Sequence, residues 1–483
     1  LSPLDSLFLW GERRDTMMHV AGLLTFCPPE GADSTYLRDL VLEAQAITDV
    51  KAPWNRKLQD TGLVPSLFRS WETDDDIDLE YHVRHSALPR PGGERELGVL
   101  VSRLHSHALD LSRPPWEMHF IEGLEDGRFA IYVKIHHSLV DGYSAMKLLV
   151  NCLSETVEEM DKPLFFAIGL PPRAPRSDTD GGGLAADLSH LVHSVRAHSA
   201  SALTLTRRVA TPVLPFTRRQ PELVSGVRAP NSILNGRIGR NRRFATQQYS
   251  LSLIKDLANH FDVTLNDVFL SIVGGGLHRF LSELGELPEK SLVAFLPVNV
   301  RTHDDNGGGN AIGAILAKVG SNLDDPVQRL RLVSASAGAA KAQLEGMTKQ
   351  GIFAWSAYVM APTGLQGIGA IAGIRGGVPI NFNLCVSNVP GPRHHLYLRG
   401  SRLEGSFPVS IPYHSMALNI TLQSYADTVG IGFVGCRDTI PHLQRLAVYT
   451  GVALDELIAA AGIAPAEGRA EAAAAEHASY SAS

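Results

Sequence analysis

Cysteine is scarce: only four occur in 483 residues, at Cys27, Cys152, Cys385 and Cys436, far apart and without a CxxC pair. That spacing argues against a disulfide framework or a zinc site and suits a reducing cytoplasm. HExxH is missing too, and no third ligand at metal spacing joins the His136-His137 pair, so no metal is expected. No sign of charge dominates: 44 Lys and Arg stand against 50 Asp and Glu, a net of −6. A basic field for nucleic acid is therefore excluded. No apolar run behind basic residues opens the chain, so no signal peptide is expected, though trimming of a leader stays open because Met is not the first residue. Residues 351–374 lack Asp, Glu, Lys and Arg over a length that would span a bilayer. Pro362 and the glycines Gly364, Gly367, Gly369 and Gly373 interrupt that stretch. We expect a helix, a break and a Gly-rich apolar segment that is buried or lines an apolar path, rather than a span.

What is present reads as a globular chain, 44% hydrophobic and 19% charged. At roughly 100–200 residues per domain, two or three domains are expected. The first part mixes periods: strands at 20–26 and 129–135, helices at 34–46, 95–108 and 142–153. Residues 171–183 (PPRAPRSDTDGGG) read as a linker. Residues 184–219 follow with five arginines and three histidines against one acid, Asp187. Such a segment either lies on an anionic membrane surface or packs as a helical linker across two domains. A second α/β series starts near Asn231, with strands at 247–251, 291–300, 382–387, 417–425 and 429–434. Its helices fall at 252–260, 265–284, 326–344 and 440–461. The expected division is a domain at 1–170, a linker at 171–230, a domain at 231–462 and a disordered tail at 463–483.

The informative run is Ile131 to Gly142, IYVKIHHSLVDG. Alternate strand residues share a face. Phe129, Ile131, Val133 and Ile135 make one apolar face, and parity adds His137 to it, while Tyr132, Lys134 and His136 take the other. His137 is thus the histidine expected to aim at the interior. Asp141 stands where a helix begins and suits an N-cap or an arginine partner, and Gly142 lets another backbone or a ligand come close. A neutral imidazole here suits general-base work on an alcohol attacking a thioester, a role that contributes ~10²–10⁴-fold. The bland alternative is a satisfied core histidine beside a capping aspartate. His136 and Asp141 also fit the H-x4-D spacing of membrane glycerolipid acyltransferases, but no FPEG-type block follows.

HHSLVDG resembles the HHxxxDG motif of the superfamily of chloramphenicol acetyltransferases and peptide-synthetase condensation domains. Further blocks narrow the resemblance to the bacterial wax ester synthase/acyl-CoA:diacylglycerol acyltransferase family. These are Ser2-Pro3-Leu4-Asp5 with Met18-His19-Val20, Pro115-Trp116-Glu117, Leu234-Asn235-Gly236 with Arg242-Arg243, and Asn266-Asp267-Val268. Pro297 to Arg301, Gly309-Asn310 and Ser387 to Pro392 continue the order. The match runs from Leu1 to about Ala460, with PPWE in place of PLWE and a loose fit over 151–170.

The resemblance implies an α/β fold of two chloramphenicol-acetyltransferase-like sandwich domains with an active-site channel between them. It makes His137 the general base, with His136 and Gly142 in the same motif and Asp141 as an orienting group. It brings Asn266 and Asp267 to the site from the second domain, and an Asn266 N–H would suit the oxyanion. Trp116, Gly309, Asn310, Ser387 and Asn388 are further candidates for substrate contact. Each has a structural alternative: Asn266-Asp267 as an ordinary helix start after Thr264, Ser387 to Pro392 as a strand turn, Trp116 as core. The implied substrates are acyl-CoA and diacylglycerol or a long-chain alcohol, with no cofactor. Peripheral contact with the inner membrane or lipid droplets is implied, and self-association stays open. Two other functions compete: a condensing enzyme acting on carrier-bound acyl groups, and a non-enzymatic lipid-surface protein.

Overall fold

Two six-stranded sheets organise the described residues of the computed structural model. Those residues are 8–59, 70–140, 142–169, 222–224, 229–299, 312–345, 347, 349–371 and 380–463. In chain order the strands of the first part are β1 (His19–Cys27), β2 (Arg56–Leu58), β3 (Trp71–Thr73), β4 (Val83–Ala87), β5 (Trp116–Glu122) and β6 (Phe129–His136). Those of the second part are β7 (Arg242–Ser250), β8 (Val293–Asn299), β9 (Ile312–Lys318), β10 (Leu384–Val389), β11 (Tyr397–Leu398), β12 (Ser401–Val409), β13 (Leu418–Tyr425) and β14 (Thr428–Cys436). The first sheet runs β11-β12-β1-β6-β5-β4 and the second β7-β14-β13-β10-β8-β9. The elements expected from periodicity are present with ends shifted by a few residues.

One feature departs from a division by sequence. β12 pairs antiparallel with β1, Ala21 opposite Val409, so residues 397–409 complete the first sheet although they follow β10 of the second. A boundary at 231 therefore does not separate the two sheets.

β6 shows why the first sheet is stable. Phe129, Ile131, Val133 and Ile135 pack into one apolar cluster with Trp116, Phe120 and Leu149. Ala130 and Tyr132 face the opposite way, into a second cluster with Leu97 and Val101 of the helix Glu94–His105. That second cluster also holds Phe244 of β7, Phe407 of β12 and Val434 of β14, so it joins the two sheets. Edge strand β7 is closed by the same helix: the hydroxyls of Ser106 and Ser102 accept the Arg242 and Phe244 N–H groups, each at 2.8 Å. Edge N–H groups left bare invite pairing with other chains, so these serines satisfy and protect the edge.

In the second unit the helices Leu251–Phe261, Leu265–Glu283 and Leu443–Ala461 cover one face of β13 and β14. Pro326–Glu345 joins the same layer through Leu330 and Val333, and with Lys349–Ile371 it covers β8 and β9 at Val293, Ile315 and Leu316. The expected break at Pro362 does not occur, since Lys349–Ile371 continues through it. Proline removes one helical hydrogen bond, and the preceding turns are held by Ile352, Trp355 and Val359, with Trp355 Nε1 donating to Ala314 O at 2.9 Å. Among the described residues no helix is long and apolar enough to cross a membrane. The basic segment 184–219 and the expected tail from 464 lie outside the described residues.

Candidate active site

β6 ends at His136, and His137 to Val140 turn away from the sheet. The ladder with β1 carries one bond past the strand: the His137 N–H donates to Met18 O at 2.8 Å. Leu139 N closes the turn on His136 O at 3.0 Å.

The two histidines then separate, in the opposite sense to the parity expectation. His136 is buried, 1% exposed, whereas His137 is half-buried. The reason is that the face opposite the apolar one is not solvated here. The helix Glu94–His105 covers it at Tyr132 and Lys134, and Glu12 stands against His136, so His136 enters a packed polar layer while His137 stays half-buried in the turn. The ring of His137 stacks on Phe8 with centroids 4.0 Å apart and planes 23° apart.

The polar layer under β6 is extensive. Lys134, 1% exposed, places Nζ 3.1 Å from Glu117 Oε2 and donates to Leu104 O and His107 O. Arg84 and His119 complete the surround of Glu117 at 3.3 Å each. Burial pushes the Glu117 carboxyl up, but the His119 hydrogen bond and the Lys134 and Arg84 charges outweigh it and bring it down to about 2. His19, opposite His136 in the ladder, has Nε2 3.1 Å from His105 O, and His105 Nδ1 pairs with the Tyr132 hydroxyl at 2.8 Å. Alternation puts Lys134 on the face opposite the apolar one, and there it and Glu117 satisfy each other inside.

Asn266 is exposed on the first turn of the helix Leu265–Glu283. Asn388 Nδ2 donates to its Oδ1 at 2.7 Å, which leaves the Asn266 amide N–H groups directed elsewhere as donors. Asp267 serves the helix start: its Oδ2 accepts the Thr264 N–H at 2.9 Å and the Ser334 hydroxyl at 3.2 Å. With Asp267 only 3% exposed, substrate contact by that carboxylate gives way to the capping role. Trp116 is likewise a core residue, 0% exposed, stacked between His82 and Phe166, with Nε1 donating to Trp54 O at 2.8 Å. Ser387 is half-buried and Asn388 exposed on β10. Asp141, Gly309 and Asn310 lie outside the described residues, and Gly142 opens the helix Gly142–Asn151.

The geometry therefore brings together His136, His137 and the start of the helix at Gly142, and separately pairs Asn266 with Asn388. It also adds residues that sequence reasoning passed over. Phe8, Glu12 and Met18 all touch the two histidines, directly or through one bond. The Met18-His19-Val20 block was the signal, since a block shared with a family and lying before a strand start marks a segment held against something. A surface hollow of about 680 Å³ lies apart from all of these, between Leu88, Arg90, Glu122 and Asp126.

The family model described as the wax ester synthase/diacylglycerol acyltransferase catalytic domain matches residues 1–269, and the C-terminal domain model of the same family matches 308–458. A Mycobacterium tuberculosis protein, provisionally named a diacylglycerol O-acyltransferase, is 53% identical over 96% of this chain and 98% of its own. The solved wax ester synthase/diacylglycerol acyltransferase of Marinobacter aquaeolei is 36% identical, with a TM-score of 0.75 over 96% of this chain and 99% of that one. The first condensation domain of the calcium-dependent antibiotic synthetase shares the fold at 17% identity and a TM-score of 0.50, covering 95% of each chain. The chain belongs to the wax ester synthase/diacylglycerol acyltransferase family.

Proposed function

We propose that this protein transfers a long-chain acyl group from acyl-CoA to the hydroxyl of diacylglycerol or of a long-chain alcohol, with His137 as general base. The observation that carries the reading is HHSLVDG at the end of β6, with His137 half-buried and its backbone anchored, in a chain matched by both family models.

The chemistry needs little more. The acceptor O–H gives its proton to the His137 imidazole as the oxygen attacks the thioester carbonyl carbon. The oxyanion that forms needs a donor, and the Asn266 amide, its oxygen already engaged by Asn388, is polarised to give one. Collapse expels the CoA thiolate, which takes the proton back from the imidazolium. Ester and CoA leave, both substrates having met in one ternary complex, and no redox or metal cofactor enters the balance.

CoA release from palmitoyl-CoA with a diacylglycerol, and separately with hexadecanol, tests the reading when the ester is identified. His137→Ala, with its fold checked by circular dichroism, is expected to lose about 10²–10⁴-fold in turnover. Unchanged turnover in the folded variant would overturn the assignment. Failure with both acceptors would favour a carrier-dependent condensing enzyme.

The substrates are apolar, so peripheral contact with the inner membrane or lipid droplets belongs to the same proposal. The five arginines of residues 184–219 against a single acid support it. Co-flotation with anionic liposomes should weaken as salt rises. Equal binding by a variant with those arginines changed to Gln would remove this segment from the account.

A further inference from the structure

Residues 8–18 wrap the two histidines from one side. Phe8 stacks on the His137 ring, and Met18 O accepts the His137 N–H at 2.8 Å. Met18 in turn donates its own N–H to Glu12 Oε2 at 2.5 Å. The same carboxylate oxygen stands 3.4 Å from Nε2 of His136. One side-chain oxygen thus meets both the buried histidine ring and the residue that anchors the other histidine's backbone.

The hydrogen bonds around His136 assign its tautomer. The Ser138 N–H donates to Nδ1 at 3.2 Å, and the Ser138 hydroxyl lies 2.6 Å from the same nitrogen. A nitrogen that accepts carries no proton, so the neutral ring holds its proton on Nε2, facing Glu12. The ring is 1% exposed and the Glu12 side chain 13%. Little water competes there, so the carboxylate charge beside Nε2, a close contact short of a formed hydrogen bond, favours this ring orientation. The Ser138 bonds to that ring then set the turn that follows His137.

We propose that Glu12 is a positioning residue for acyl transfer, acting through His136 and Met18 to hold the turn that carries His137. This rests on His137 being the base. Glu12 takes no proton from substrate in this scheme; it sets where the base stands. A displacement of about 1 Å at a reacting group costs ~10²-fold, so the effect belongs in kcat rather than in acyl-CoA binding.

The test compares kcat and KM for palmitoyl-CoA in the wild type, Glu12→Ala, Glu12→Asp, His136→Asn and the double variant Glu12→Ala/His136→Asn. Glu12→Ala is expected to lower kcat by about 10–100-fold with KM changed by less than about twofold. Glu12→Asp keeps the charge but retracts it by one methylene, and a drop of about tenfold is expected. The losses from Glu12→Ala and His136→Asn should not add, because both act on one turn. Should Glu12→Ala fail to fold, Glu12→Asp carries the test. Wild-type kcat in a folded Glu12 variant, or full additivity with His136→Asn, would overturn the proposal. Wild-type turnover that survives His137→Ala would instead overturn the base assignment, so the two failures are distinct.

Discussion

His105 and His19 sit where water does not reach, at 2% and 1% exposure. Burial lowers the His105 pKa to about 3, with the Arg242 and Lys134 charges adding to it. Burial also keeps His19 well below its usual value, with His105 and Lys134 adding. Both folded pKa values lie below the unfolded value near 6.5. Above that value neither state holds the proton and the stability is fully present. Below it the unfolded chain takes protons that the folded protein refuses, so stability falls as pH drops towards about 3. Each such histidine contributes a slope of about 1.4 kcal/mol per pH unit once the unfolded form is protonated. The urea midpoint should therefore fall between about pH 7 and pH 5, before carboxylates such as Glu117 begin to matter, and His105→Gln should flatten the curve. A midpoint constant over that range would contradict the neutral burial of these rings. Sequence parity sorted the residues of β6 correctly onto two faces but misjudged His136 and His137. Alternation tells which residues share a side. It does not tell whether the second side is wet, and here Tyr132, Lys134 and His136 face a second packed layer.

The same physics decided which elements were legible. Helices such as Glu94–His105 and Leu443–Ala461 announce themselves because one stripe is apolar and the other polar. β5 does not: in WEMHFIE the residues Glu117 and His119 interrupt any apolar run, yet Trp116 to Ile121 are all buried. Their polarity is neutralised by Lys134 and Arg84 from other elements, a pairing that only three-dimensional proximity reveals. β12 was hidden for a different cause. Apart from the two-residue β11 its partner in the sheet is β1, some 390 positions earlier by the pairing of Ala21 with Val409, and local pattern carries no information about so distant a ladder. The Leu234-Asn235-Gly236 block was visible as a resemblance while its purpose was not. Asn235 donates to Phe382 O and Ser415 O and accepts from Asn383, so it ties three segments together rather than serving the chemistry. The active-site turn stands between these cases: its motif was plain in the sequence, and of the segment that clamps it Met18 stood in a block shared with the family, whereas Phe8 and Glu12 became visible only through contacts.

The two sheets meet through backbone, and that contact makes the molecule one object. A Cβ added at Gly432 of β14 would lie 1.9 Å from Pro408 O of β12, and one added at Gly430 would lie 2.2 Å from Ser406 O. No real side chain tolerates such distances, so glycine at these positions lets a strand of the first sheet lie directly on a strand of the second. Ser406 Oγ and Gln423 Oε1, 2.7 Å apart, make a polar contact from β12 to β13 beside it. β12 is also the neighbour of β1, and β1 is the strand on which Met18 leads into His19, opposite His136. Pushing β12 away from β14 should therefore disturb both stability and the turn of His137. Gly432→Ala is expected to destabilise the fold by about 1–3 kcal/mol or more, as overpacking does, and to lower turnover in the fraction that remains folded. Gly338→Ala gives the control. That glycine lies in the helix Pro326–Glu345 with nothing within 4 Å of its added Cβ, so alanine there should be neutral or stabilise by up to about 1 kcal/mol. Thermal midpoints and kcat measured together separate the alternatives. If Gly432→Ala lost stability but kept full kcat, the sheets would be joined without mechanical consequence for the site. If it behaved like Gly338→Ala in both, the close approach of β12 and β14 would not be a feature of the protein in solution.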